Sequence, residues 1–146
     1  MLRFYRRQLP HYRKDDAWYF VTWPVAPGGA ALADGERSIV AEKIWHDEGL
    51  KYELAAFVVM DDHVHTIVLP LGGRRLESIL RDWKSFTAHE IQRKRGARGA
   101  LWQSEYFDRL IRDERELEQK RLYIRMNPFK RWPELDTYLW VSPLQD

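Results

Sequence analysis

Four residues in this chain are spaced for chemistry: His63 and His65, two apart, and Tyr123 and Asn127, four apart. In an extended strand side chains alternate faces, so in Met60-Asp61-Asp62-His63-Val64-His65 the two imidazoles point the same way and Val64 points the other. Two imidazoles on one strand face make a chelate for a divalent metal, because the backbone fixes their separation. A structural histidine pair is the competing reading, since five His in one chain produce a His-x-His readily by chance. In Tyr123-Ile124-Arg125-Met126-Asn127-Pro128 the tyrosine and the asparagine share one helix face. A tyrosine hydroxyl can attack phosphorus, and an amide oxygen one turn on can complete a metal site begun by two histidines. The plain alternatives are a tyrosine at the edge of the core and an asparagine that ends a helix before a proline.

The elements that must position these groups follow from pattern. Aromatic and β-branched residues over 17–23 predict a buried strand, broken by Pro24, Pro27, Gly28 and Gly29. Helical spacing of Ile39, Val40 and Ile44 predicts a helix over 38–48. Strands over 52–60 and 63–69 are separated only by Asp61 and Asp62, which predicts a hairpin. An apolar stripe of Leu76, Ile79, Leu80, Trp83, Phe86 and Ile91 marks a helix over 74–94. A short strand over 107–111 comes next. Asp113 with Glu116 then forms a capping box that opens a last helix, and Pro128 predicts its end near Asn127. The order is that of an α+β, ferredoxin-like βαββαβ core: an antiparallel sheet with helices on one face, and a C-terminal helix bearing Tyr123 that can lie across it. One domain is expected over 1–146, with a basic arm at 1–16 and an irregular tail at 129–146.

Composition narrows the chemistry. The chain has 146 residues, 45% of them apolar and 14% aromatic, which suits one ordered domain with a real core. Cysteine is absent, so disulfides, thiolate metal sites and Cys nucleophiles are excluded, and a reducing interior is the expected home. No run approaches the roughly 18 apolar residues of a membrane helix, and the start lacks the apolar core of a secretory signal. Net charge is only +2, yet Arg and Lys gather at 3–7, 74–75, 93–98 and 121–131. Such clusters suit a phosphate backbone, with an ordinary solvated surface as the alternative. Most of the seven Trp are expected in the core, while exposed ones could stack on unpaired bases.

In order and spacing, several segments together resemble a known family. They are Tyr19-Phe20-Val21-Thr22-Trp23, Phe57-Val58-Val59-Met60 leading into His63-Val64-His65, and Trp102-Gln103-Ser104-Glu105-Tyr106-Phe107-Asp108. Ile111-Arg112-Asp113-Glu114 and the Tyr123 to Pro128 segment complete the set. The chain resembles the single-tyrosine HUH transposases of insertion sequences, most closely the REP-associated tyrosine transposases of bacteria. The resemblance implies that His63 and His65 hold a divalent metal, Mg²⁺ or Mn²⁺, with Asn127 as third ligand and Tyr123 as nucleophile. It implies transesterification on single-stranded DNA through a 5′-phosphotyrosine link, at hairpin-forming palindromic repeats. Arg74, Arg75, Lys84, Arg93, Lys94 and Arg95 are candidates for backbone contact. A monomer or a homodimer acting on nucleoid DNA in the cytoplasm, with no membrane, is the expected setting.

Two departures stand out. Relatives usually carry Pro-Asn before the histidines where this chain has Asp61-Asp62, and often His where it has Arg125. Two other readings compete: a non-cleaving repeat-DNA-binding regulator on the same fold, and an unrelated ferredoxin-like binding module.

Overall fold

The computed structural model describes residues 17–142, so the basic arm at 1–16 and the last four residues lie outside the described residues. Its elements are β1 (Tyr19–Pro24), α1 (Asp34–His46), β2 (Tyr52–Val59), β3 (His63–Pro70), α2 (Leu76–Arg95), β4 (Phe107–Leu110) and α3 (Glu114–Arg131). The four strands form one antiparallel sheet in the order β2-β3-β1-β4. β1 and β2 flank β3, the split arrangement that the βαββαβ order predicts.

Alternation along the strands sorts two cores. Val21, Trp23, Val64 and Val68 face α1 and α2, together with Leu80, Trp83 and Ile91. On this side the Tyr52 hydroxyl donates to the Ile44 carbonyl at 2.6 Å and accepts from the Trp83 indole at 3.0 Å. Val58, Ile67 and Leu69 face the other way, against Leu117 and Ile124 of α3. The two early helices therefore cover one face, and α3 covers the β2–β3 half of the other. All seven Trp are buried or half-buried, so none is a free stacking surface.

Three features differ from expectation. α3 runs through Pro128 to Arg131, one turn beyond the predicted stop at Asn127. Proline removes one backbone bond, but its ring is buried here and the helix continues on packing. The tail beyond is not wholly irregular: Val141 bridges Val58, the Val59 N–H donates to Trp140 at 2.8 Å, and the Ser142 N–H donates to Phe57 at 2.9 Å. The open edge of β2 is thereby closed. The capping box is half made. Asp113 accepts the Glu116 N–H, while the Glu116 carboxylate turns to the Arg112 N–H and the Arg109 guanidinium.

Candidate active site

β3 places His63 and His65 on the α3 side of the sheet, as period-two alternation requires. Their ring centroids are 4.6 Å apart at an interplanar angle of 72°. Each ring is held at the same nitrogen. His63 Nδ1 meets the Asp62 carboxylate at 2.7 Å, and His65 Nδ1 meets the Thr22 hydroxyl at 2.7 Å across the β1–β3 pair. With Nδ1 engaged in both, Nε2 is the nitrogen left to each ring, the arrangement found behind metal-bound imidazoles. His65 is only 6% exposed. Burial, aided by the charges of His63 and Lys120, pushes its pKa down to about 3, so the ring is neutral and its lone pair open near neutral pH. Burial raises the Asp62 carboxyl, but the His63 hydrogen bond and the charges of His63 and Arg131 outweigh it and hold the group low.

α3 brings its tyrosine to the same place. The Tyr123 ring lies 5.5 Å from His65 and 6.1 Å from Phe20, which itself stacks on His65 at 5.3 Å. Tyr123 is 42% exposed, so a ligand from solvent can reach it. Asn127 sits one turn on, on the same flank of the helix, half-buried. Two ammonium groups stand beside these rings: Lys130 at 5.6 Å from the Tyr123 ring and Lys120 at 5.1 Å from that of Phe20. The last turn of α3 is tied to the histidine hairpin, with Arg131 at 3.0 Å from Asp61 and 3.6 Å from Asp62.

The donor types suit a divalent ion: two imidazoles held at Nδ1 and an amide one helical turn from Tyr123. Among the described residues no group of three or more His, Cys, Asp or Glu is assembled for a metal. The expected third ligand, the Asn127 amide, is outside those residue types.

The six basic candidates lie elsewhere. All belong to α2 or the turn before it, on the opposite face of the sheet from His65 and Tyr123. Arg75 pairs with Glu77, and Arg93 pairs with Glu90 at 2.9 Å. Arg74 bonds the Leu71 carbonyl, and Lys94 lines a groove between α1 and α2. Lys84 is tied to the carbonyls of Gln103 and Ser104 at 2.9 and 3.2 Å, and burial lowers its pKa. Arg95 grips Glu36 through two bonds of 2.6 and 2.8 Å, joining the end of α2 to the start of α1.

Sequence reasoning missed Thr22, Phe20, Lys120 and Lys130 at the site. Thr22 was reachable by pairing the first strand against the histidine strand. Lys120 and Lys130 lie three before and seven after Tyr123, both positions on its own helix flank.

Residues 37–127 match the family model described as transposase, IS200-like. A REP-associated tyrosine transposase bound to a REP hairpin shares the fold at TM-score 0.63 and 22% identity, over 87% of this chain and 74% of that one. A putative transposase of Deinococcus radiodurans R1 does so at TM-score 0.53 and 21% identity, over 82% and 95%. No curated protein matches the chain.

Proposed function

From the fact that this chain belongs to the IS200-like transposase family, whose members process DNA, we propose that it cuts and rejoins single-stranded DNA at hairpin-forming repeats, with Tyr123 as nucleophile. The observation that carries the reading is the meeting, within one chain, of the Tyr123 ring with His65 at 5.5 Å and of His65 with His63 at 4.6 Å. In the proposed step the Tyr123 hydroxyl oxygen bonds to phosphorus and the bond from phosphorus to the 3′ oxygen breaks. The products are a 5′-phosphotyrosine and a free 3′-hydroxyl. The phenol gives up its proton as it attacks, and the departing 3′ oxygen takes one up. The linkage conserves the energy of the cut bond, and the 3′-hydroxyl of a second strand can reverse the step without a nucleotide.

His63, His65 and Asn127 would hold Mg²⁺ or Mn²⁺, which when bound would neutralise charge on the phosphate oxygens. Asp62 and Thr22 keep the two rings oriented. Lys120 and Lys130 place positive charge beside the tyrosine, which favours the approach of a phosphate backbone. Of the six basic candidates, Arg74, Arg75, Arg93 and Lys94 are exposed and suit contact with a hairpin stem. Lys84 and Arg95 are held by their own chain. The hairpin in the complexed structural neighbour supports the substrate reading.

The test mixes the protein with labelled hairpin DNA carrying a single-stranded flank and Mn²⁺, beside the double variant His63→Ala/His65→Ala. Wild type should give a covalent adduct on a denaturing gel, while the double variant keeps much of its DNA affinity and gives none. Binding without an adduct would assign the chain to the non-cleaving regulators. An adduct of normal yield from the double variant would remove the metal from the mechanism.

A further inference from the structure

α3 covers only half of the sheet face that carries the site. Among the described residues its main packing lies over β2 and β3, and it reaches the β1–β4 half only through the side chains of Glu116, Lys120 and Tyr123, which leaves a shelf beside it. The residues on that shelf follow from register. Thr22 pairs with His65 on one side and with Phe107 on the other, so all three side chains share the site's face. Phe20 likewise pairs with Ile67 and with Arg109. Phe107 therefore lies two strand spacings from His65, roughly 9.5 Å across the sheet, on the side away from β2.

Among the described residues, the rings of this face are engaged with one exception. Phe20 stacks on His65 and lies under Lys120, and Tyr123 has His65, Phe20 and Lys130 around it. Phe107 is 56% exposed, and among the described residues it has no ring partner. Cations border the shelf: Lys120 above Phe20, and the half-exposed guanidinium of Arg109, which rests on Glu116 at 2.7 Å. An exposed aromatic ring that shares a face with Lys120 and Arg109 has the chemistry of a single-strand binding groove. Bases stack on the ring and phosphates follow the cations. We propose that the β1–β4 shelf is the track of the single-stranded DNA and that Phe107 is the platform for an unpaired base near the scissile phosphate.

The inference rests on the reading of the site as a single-strand DNA transesterase, and it adds a binding element that reading does not contain. Leu110 provides an internal control. It is 50% exposed on the same strand, but it pairs with Tyr19 and so points to the opposite face. The probe is a single-stranded oligodeoxyadenylate carrying one fluorescent purine analogue, titrated with wild type, Phe107→Ala, Phe107→Trp and Leu110→Ala. Phe107→Ala should weaken binding by about 5- to 160-fold, the range that loss of one base–aromatic stack produces. It should also abolish the quenching of the analogue. Phe107→Trp should restore both, and Leu110→Ala should match wild type. Affinity for blunt duplex should not change between variants. Gel filtration without DNA separates the other occupant, a second copy of this chain: a lighter Phe107→Ala species would overturn the proposal in favour of a dimer edge. Equal losses for Phe107→Ala and Leu110→Ala, or no loss for either, would also overturn it. A wild type that forms its adduct through Tyr123 while Phe107→Ala binds normally would remove the platform and leave the transesterase reading intact.

Discussion

Replacing Thr22 by valine probes the metal reading without touching a proposed ligand. The two side chains have nearly the same shape, and Thr22 is half-buried, so the change amounts to deletion of one oxygen. That oxygen lies 2.7 Å from His65 Nδ1. In the tautomer a metal requires, Nδ1–H donates to Thr22 and Nε2 keeps its lone pair. Without the hydroxyl, a ring only 6% exposed holds an unpartnered N–H, at a cost of about 1–3 kcal/mol. The ring can avoid that cost by changing tautomer, which turns a proton toward the metal position. Removing such a supporting partner lowers metal affinity about 10- to 100-fold, or roughly 1.4–2.8 kcal/mol. The assay is the initial rate of adduct formation against Mn²⁺ concentration. Thr22→Val should shift half-saturation upward by that factor, leave the rate at saturating Mn²⁺ near that of wild type, and leave metal-free DNA binding unchanged. The His65 pKa near 3 means protonation contributes nothing near neutrality, so the shift should be the same at mildly acidic and mildly alkaline pH. A half-saturation within about twofold of wild type would refute the claim that Thr22 orients a ligand.

Arg131→Ala cuts the tie between the end of α3 and the histidine hairpin. Ion pairs this exposed contribute about 0–1 kcal/mol, so thermal stability should barely move, yet the adduct rate should fall about tenfold or more through misplacement of the tyrosine helix. Arg131→Lys should recover part of that rate, and an unchanged rate in Arg131→Ala would show that the tie positions nothing. Arg95 gives a prediction about pH. Its hydrogen bond, opposed by burial, holds the Glu36 carboxyl below the ordinary 4.5, so the pair's contribution is fully present above that value and is lost as pH falls from there through the lowered folded value. Urea unfolding should show Arg95→Met less stable than wild type by about 1 kcal/mol near pH 7, with the gap closing on acidification; a gap that widens in acid would contradict the assignment.

Much of this architecture is legible in the sequence because local and tertiary preferences agree there. The histidine hairpin is one case: alternation sets the face, Asp61-Asp62 sets the turn, and the structure pairs Val59 with Val64 around it. Tyr123 and Asn127 fall on one helix flank for the same reason. What escaped reading depends on contacts between distant segments. Pro128 ends a helix by local rule, but its buried ring is carried through by packing, and that extra turn is what delivers Arg131 to Asp61. The tail closes the β2 edge through backbone bonds around Val141, which leave no periodic signature. Basic residues clustered in sequence need not share a surface. Lys84 and Arg95 turn to partners in their own fold, while Lys120, just outside the basic run at 121–131, and Lys130, within it, stand at the site.

The central claim is that Tyr123 is the nucleophile, and the most direct measurement is the identity of the residue linked to DNA. Wild-type protein is incubated with hairpin DNA and Mn²⁺, digested with protease, and the DNA-bound peptide is sequenced by mass spectrometry. Tyr123→Phe is run in parallel. It keeps the ring that packs at 5.5 Å from His65 and lacks only the hydroxyl, so fold and DNA affinity should survive. The account predicts a linkage at Tyr123 in wild type and neither adduct nor cut strand in Tyr123→Phe. Cutting by Tyr123→Phe, or a linkage that maps to another residue such as Tyr106, would contradict it.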